Sequence, residues 1–220
     1  MDKIQIIGVP QSNFVWVVRM ACEEKGIDYD LIDTPLGAPE LRNIHPFGKM
    51  PVLRHGDFTL CESKAIATYL DRSFDGPELI PSDPRLAGQV EQWVSLVNTT
   101  IDPLLVRTYL FAYIAPKGAD KGTDGKPDRG AIETMMPRVR EQLSLLERSV
   151  AASCYLVGER FTLADINLLP IMFYISRMPE TAEAFAVGTA LRLYYDTHAA
   201  RPSFVRTVPP LSPPRRVDAG

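Results

Sequence analysis

The stretch from Phe47 to Ser63 constrains the fold of this chain more than any other, because a proline stands directly before two strand-forming residues. Proline has no backbone N–H to give to a strand ladder, so it belongs at the first residue of a strand or on an edge. Pro51 therefore predicts a strand that begins at Val52, and a cis peptide bond after Met50 is one tight way to enter it. That bond would turn the Met50 backbone outward.

The second half of the same stretch places polar groups beside this strand edge. A turn at 55–57 reverses the chain into a short strand at 58–60, and a helix is predicted from Ser63 onward. The N-terminus of a helix carries partial positive charge, which favours anions. Glu62, the Ser63 hydroxyl and the exposed backbone at Met50 therefore suit an extended, peptide-like, acidic small molecule.

Hydrophobic patterns around this stretch predict a small α/β domain. Before Pro51, they predict a strand at 3–9, a helix at 14–25 closed by Gly26, a strand at 29–33 and a short helix at 39–43. A strand–helix–strand unit implies a parallel pair with a right-handed crossover. The whole order is β-α-β-α-β-β-α.

The chain is predicted to consist of two domains, a linker and a tail. Turn-forming residues crowd positions 76–84, which we interpret as a linker between an α/β domain at 1–75 and an all-helical domain at 85–208. Helical spacing of apolar residues predicts helices at 85–113, 133–152, 163–176 and 180–198, the first interrupted by Pro103. A charged loop is predicted at 117–129 and a proline-rich tail at 209–220.

Composition excludes several functional classes. The 220 residues are 45% hydrophobic, enough for a core, and the net charge of −3 argues against a nucleic-acid partner. Neither a membrane span nor a signal peptide is evident, so we expect a cytoplasmic protein. The cysteines at 22, 61 and 154 favour reduced thiols over disulfides or a metal site, and Cys61 is more typical of a small core residue than of a redox centre.

Five short segments, taken in order, resemble the cytosolic glutathione transferase family over about residues 3–208. They are Ser12 after the first strand, and the segments at 43–53, 62–66, 158–165 and 201–203. Within this family, the chain resembles serine-type members, phi- or theta-like, of the kind found in bacteria. It implies an α/β thioredoxin-like N-terminal domain, an all-α helical C-terminal domain and a homodimer.

The resemblance also implies roles for individual residues in a glutathione site. Met50 would pair its backbone with the cysteinyl backbone of glutathione beside cis-Pro51. Glu62 and Ser63 would hold the γ-glutamyl amine and carboxylate, and Lys49 would contact the same end of the molecule.

Ser12 stands at the position of the activating hydroxyl in the serine-type classes. Only the thiolate is a good nucleophile, and a free thiol with a pKa of about 8.5 is mostly protonated at neutral pH. A hydroxyl that donates to the sulfur favours the thiolate, as does a nearby helix N-terminus, and Ser12 precedes the helix at 14–25. By their position, Asn13 and Phe14 are candidates for the acceptor side of the site, where the second substrate, an electrophile, would bind.

The implied reaction conjugates the glutathione thiolate to a small hydrophobic electrophile held between the two domains, such as a haloarene or an epoxide. A glutathione-dependent peroxidase activity, in which the thiolate attacks an organic hydroperoxide and reduces it, is a further expectation. Glutathione is then a co-substrate, and no prosthetic group, metal, nucleic acid or membrane is expected. Two alternatives remain: a glutathione-dependent isomerase or ether-cleaving enzyme, and a non-catalytic glutathione-fold binding protein.

Several of these residues also have purely structural interpretations. Ser12 is a common helix cap, Glu62 and Ser63 can be a helix start and nothing more, and Lys49 can be an ordinary surface residue. His45 replaces a common Asn before proline, and we expect it to be structural.

The sequence departs from the phi-type pattern at the glycine end of glutathione. Phi-type members carry a basic residue in the loop after the second strand, and residues 34–41 contain none. Arg42 is the nearest candidate for the glycine carboxylate.

Overall fold

The computed structural model describes residues 3–114 and 126–210 of the chain. These residues form two compact units. The first contains the described residues up to Ala87 together with those from Ala199 onward, and the second extends from Gly88 to His198. Most of the predicted loop at 117–129, and the predicted tail from position 211 onward, lie outside the described residues.

A mixed four-stranded sheet forms the centre of the first unit. Its strands are β1 (Ile4–Ile7), β2 (Tyr29–Ile32), β3 (Val52–His55) and β4 (Phe58–Cys61), in the spatial order β2-β1-β3-β4. β1 and β2 are parallel, and the other two pairings are antiparallel. Ile7 stands opposite Val52 in the register, so the end of β1 and the start of β3 lie side by side.

The described α-helices complete the two units. In chain order they are α1 (Asn13–Lys25), α2 (Pro39–Ile44), α3 (Ser63–Ser73), α4 (Pro84–Leu96), α5 (Asp102–Leu104), α6 (Phe111–Ile114), α7 (Arg129–Val150), α8 (Leu163–Ile175), α9 (Ala190–Ala199) and α10 (Pro202–Thr207). With the strands, α1 to α3 give the predicted order β-α-β-α-β-β-α. Within 3–114 and 126–210, no helix has the length and apolar character needed to cross a bilayer.

Helix α10 belongs to the first unit, although the sequence placed it in the helical domain at 85–208. Buried Trp16 of α1 donates from Nε1 to Thr207 Oγ1 at 2.7 Å. Glu24 of α1 accepts two hydrogen bonds from the Arg201 guanidinium, at 2.8 and 2.7 Å. Helical periodicity does not report such contacts, because the partners are 191 and 177 positions apart in the chain.

Pro103 interrupts the long first helix of the second unit, as the sequence predicts. Two π-helical segments, Val97–Ile101 and Leu105–Leu110, flank the short helix α5. Residues five apart become neighbours in this geometry, so Arg107 Nε donates to Asp102 Oδ2 at 3.0 Å. The ion pair therefore spans the irregular part of the helix.

The prediction of one helix at 180–198 is wrong in its middle. A 3-10 helix at Pro179–Phe185 is followed by a break, and α9 begins only at Ala190. Gly188 lies in this break with a φ of 97°, a conformation that favours glycine and cannot continue a helix. The N–H groups of Ala190 and Leu191 donate to the Glu147 carboxylate, both at 2.8 Å, so α7 supplies the partner for the new helix start.

Helix α8 begins with a capping box formed by Thr162 and Asp165. Oδ2 of fully buried Asp165 accepts from the N–H of Thr162 at 2.9 Å and from its hydroxyl at 3.1 Å. Oδ1 accepts from Leu156 N–H and from the Tyr194 hydroxyl, both at 2.9 Å. One carboxylate thus joins the segment before α8, the start of α8 and helix α9.

Candidate active site

The register of the sheet brings the loop that carries Ser12 to the entry of β3. Because Ile7 ends β1 opposite Val52, the residues just after β1 and just before β3 emerge from the same end of the sheet. The Met50–Pro51 peptide bond is cis, as the sequence interpretation suggests. The predicted activating residue and the predicted cysteinyl-binding residue therefore belong to adjoining segments.

A side-chain contact of Met50 joins these segments directly. The N–H of Val9 donates to Met50 Sδ at 3.4 Å. Gly8 lies against the same side chain, since a Cβ at position 8 would stand 3.0 Å from Met50 Cβ and 2.6 Å from Val15 Cγ2. The sequence interpretation assigned Met50 a backbone role only and missed this contact, for which the sequence carries no local signal.

Ser12 caps helix α1 through its oxygen. Ser12 Oγ accepts from the N–H of Val15 at 3.4 Å, and the Ser12 N–H donates to Val9 O at 3.1 Å. A hydroxyl has one donor and two acceptor lone pairs, so capping occupies only its acceptor side. Within the described part of the chain, the Ser12 O–H donates to no partner. The structural and the catalytic interpretations of Ser12 are therefore compatible.

The two acceptor-side candidates differ in exposure. Asn13, the first residue of α1, is 5% exposed, whereas Phe14 is half-buried. Of the two side chains, Phe14 therefore offers more surface to a second substrate.

Glu62 and Ser63 form the N-terminal end of α3, with Glu62 preceding the helix and Ser63 beginning it. Glu62 has a φ of 72°, a region where a residue other than glycine is strained by about 1–3 kcal/mol. Its side chain is 72% exposed, and Ser63 is buried. Strain of this kind is typical of functional sites, where the surrounding structure holds a residue in place for a ligand.

His45 links this helix start to the loop before Pro51. The ring is buried, and its Nδ1 accepts from Phe47 N–H at 3.0 Å, which places the hydrogen of the neutral ring on Nε2. Nε2 lies 3.7 Å from Glu62 Oε1. His45 has the structural role expected of it, and it also faces a predicted binding residue, which the sequence analysis missed.

Two exposed cations lie in or beside the same loop. Lys49 Nζ stands 5.9 Å from the centre of the Phe47 ring, a cation–π contact. The stem of Arg42 packs against Gly48, where a Cβ would be 3.2 Å from Arg42 Cγ. Lys49 is therefore held by its ammonium group against an aromatic ring, and Arg42 by its aliphatic stem against the loop backbone, while both residues are exposed.

Cys22, Cys61 and Cys154 are all free thiols. Burial raises the pKa of Cys22, and burial together with the nearby Glu62 raises the pKa of Cys61. Cys61 Sγ also donates to Ile44 O at 3.5 Å. In the described ranges, no group of three or more His, Cys, Asp or Glu side chains is placed to hold a metal ion.

Both thiols are expected to be slow nucleophiles at neutral pH. A raised pKa means a smaller thiolate fraction at pH 7, so iodoacetamide should alkylate Cys22 and Cys61 more slowly in the folded protein than in the denatured one, and buried Cys22 the more slowly of the two. Peptide mass spectrometry over time measures both rates. Rapid alkylation of Cys61 in the folded protein would instead indicate an activated thiolate and revive the redox interpretation.

Comparisons with known proteins agree with this architecture. The family model "Glutathione S-transferase, N-terminal domain" matches residues 6–78, and "Glutathione S-transferase, C-terminal domain" matches residues 101–202. Glutathione S-transferase 3 of Zea mays is 31% identical over 233 aligned positions, which cover 97% of this chain and 98% of that protein.

Solved structures share the fold. Glutathione transferase F7 from Populus trichocarpa has a TM-score of 0.81 and 24% identity, covering 93% of this chain and 97% of its own. A glutathione S-transferase from Methylobacillus flagellatus KT, determined with glutathione bound, has a TM-score of 0.76 and 25% identity, covering 94% of this chain and all of its own. The predicted fold class, a thioredoxin-like domain followed by a helical domain, is confirmed, and the chain belongs to the glutathione S-transferase family.

Proposed function

We propose that this glutathione transferase is a serine-type enzyme, phi- or theta-like, in which Ser12 activates glutathione. The observation that carries the proposal is the hydrogen bonding of Ser12, which caps α1 through its oxygen, while its O–H donates to no partner within residues 3–114 and 126–210. A donated hydrogen bond and the N-terminus of α1 both favour the charged form of a sulfur placed there. Ser12 stabilises the thiolate and forms no covalent bond itself.

Glutathione lies along the edge formed by Met50 and Pro51 in this proposal. The Met50 backbone pairs with the cysteinyl residue, and Glu62 and Ser63 hold the γ-glutamyl amine and carboxylate at the start of α3. Lys49 also contacts the γ-glutamyl end. The glutathione-bound relative from Methylobacillus supports this use of the fold.

The glycine carboxylate and the second substrate need further residues. Arg42 is the proposed partner of the glycine carboxylate, because it is an exposed cation whose stem packs against Gly48 in the loop that leads to Met50. Phe14 and Asn13 lie on the acceptor side, where the thiolate attacks a haloarene, an epoxide or an organic hydroperoxide. A cytoplasmic homodimer completes the proposal, with a thioredoxin-like domain at 1–75 and a helical domain that begins at 85, while α10 packs on the first of these domains.

The proposal is tested by turnover with glutathione and a chloronitrobenzene, together with an epoxide and an organic hydroperoxide. We expect conjugation of the haloarene that saturates with glutathione. Retention on a glutathione resin without turnover of any of the three electrophiles would favour a non-catalytic binding protein instead.

Changing Glu62 to Gln is expected to raise the KM for glutathione about tenfold, since a hydrogen bond to a charged group contributes about 1.5–3 kcal/mol. The effect on kcat should be small, because Glu62 binds the end of glutathione that does not react. Initial rates over a range of glutathione concentrations give both constants.

Two controls sharpen this prediction. Glu62→Gly should raise the KM as much while leaving the protein at least as stable, because glycine adopts the φ of 72° without strain. A glutathione analogue that lacks the γ-glutamyl amine should bind wild type and Glu62→Gln equally well. A large difference in affinity between the two proteins for this analogue would show that Glu62 does not act through the γ-glutamyl amine.

A further inference from the structure

The thioether of Met50 accepts a hydrogen bond from the loop that carries Ser12. The Val9 N–H donates to Met50 Sδ at 3.4 Å, and Val9 O accepts from the Ser12 N–H at 3.1 Å. Two hydrogen bonds therefore lead from the residue before Pro51 to the backbone of Ser12. A thioether is a weak acceptor, so this bond by itself contributes little to the stability of the fold.

The surroundings of Met50 leave its side chain little freedom. On one side it packs against a buried cluster that contains Ile7, Leu41 and Val52. On the other side the loop backbone touches it, because a Cβ on Gly8 would stand only 3.2 Å from Met50 Sδ. A side chain held between the core and a loop constrains the position of that loop, because a displacement in a close-packed interior is transmitted to neighbouring atoms.

We propose that Met50 is a positioning residue for Ser12 and acts through its sulfur. The Met50 backbone binds the cysteinyl part of glutathione, and the Met50 side chain sets the loop so that the Ser12 hydroxyl meets the sulfur of the same cysteinyl residue. This role rests on the proposed function of Ser12. Leucine can fill the same space but offers no acceptor to Val9.

The test compares Met50→Leu with Met50→Gln. In Met50→Leu, the acid limb of the kcat–pH profile should move up by about half a pH unit, and kcat at pH 6.5 should fall about threefold, because the thiolate is less favoured. The KM for glutathione should change less than twofold, since the backbone contact remains. Met50→Gln, whose amide oxygen can accept from Val9, should keep the acid limb at the wild-type pH, whatever its maximal kcat.

Packing alone would give a different pattern. Leu for Met is close to volume-conserving and should leave the protein folded, which thermal unfolding checks. An unchanged acid limb in Met50→Leu overturns the positioning role, and so do equal shifts in the Leu and Gln variants, because the acceptor would then not matter.

The Ser12→Ala background separates this inference from the proposed function. Met50→Leu should cause no further shift there, and an added shift would overturn the inference. If Ser12→Ala shifts the acid limb and Met50→Leu does not, only the inference fails. If Ser12→Ala leaves the profile unchanged, the proposed function fails and the inference fails with it.

Discussion

Replacing Ser12 by alanine is expected to lower kcat/KM for conjugation about 10- to 100-fold, since a hydrogen bond to a charged group contributes about 1.5–3 kcal/mol and about 1.4 kcal/mol corresponds to a factor of ten. The pKa of the bound glutathione thiol should rise, because the lost donor favoured the thiolate. The loss of rate is therefore largest at low pH and shrinks as pH rises above the new pKa. Ultraviolet absorption of the bound thiolate and pH–rate profiles measure the two effects.

The variants Ser12→Thr and Ser12→Asp separate catalysis from capping. Alanine also removes the acceptor for Val15 N–H, which costs about 1 kcal/mol of stability. Threonine keeps both the cap and the O–H, and should retain most of the activity. Aspartate keeps the cap but has no hydroxyl and repels a thiolate, so it should be more stable than alanine and no more active. If activity rose and fell with stability across these variants, Ser12 would act only as a helix cap and not in catalysis.

Replacing Asp165 by asparagine is expected to lower the free energy of unfolding by about 3–5 kcal/mol, as when one member of a buried charged network is removed. Each carboxylate oxygen accepts from two donors, Leu156 N–H and Tyr194 O–H on one side and the two Thr162 groups on the other. The asparagine NH2 group would face donors in either orientation. Burial raises the pKa of Asp165, and these donors with His198 act against that rise.

Denaturant unfolding of Asp165→Asn and Asp196→Asn measures this cost against a matched control. Asp196 lies on α9 and accepts from Arg192 Nε at 2.6 Å, with its side chain 51% exposed. An exposed ion pair of this kind contributes about 0.3–0.5 kcal/mol, so Asp196→Asn should change stability little. Similar losses in the two variants would show that burial of the Asp165 network does not matter.

Local signals in the sequence were sufficient for most of the fold. Pro51 marked the start of β3, Gly26 ended α1, and the Thr162 capping box marked the start of α8. These signals work because capping, proline geometry and hydrophobic period act within one or two turns of chain. The same limit explains the error at 180–198, where helical residues on both sides concealed a break that depends on Gly188 and on a distant Glu147.

The helix starts that carry the candidate site residues were also predictable, but the contacts between these residues were not. Ser12, Glu62 and Ser63 each stand at a helix start, a feature that composition and spacing reveal. The contact of His45 with Glu62 and the role of the Met50 sulfur depend on how separate segments meet, and the sequence has no sign of either.

The sequence by itself therefore determined the order of the elements and the kinds of groups available at their ends. Only the tertiary structure decided which of these groups meet. The hydrogen bond from Val9 to Met50 joins residues 41 positions apart, and it exists because the antiparallel register sets Ile7 opposite Val52. The docking of α10 on α1 likewise depends on Trp16 and Thr207, 191 positions apart. Local propensity cannot encode such pairings, because they form only when the whole sheet and its helices pack together.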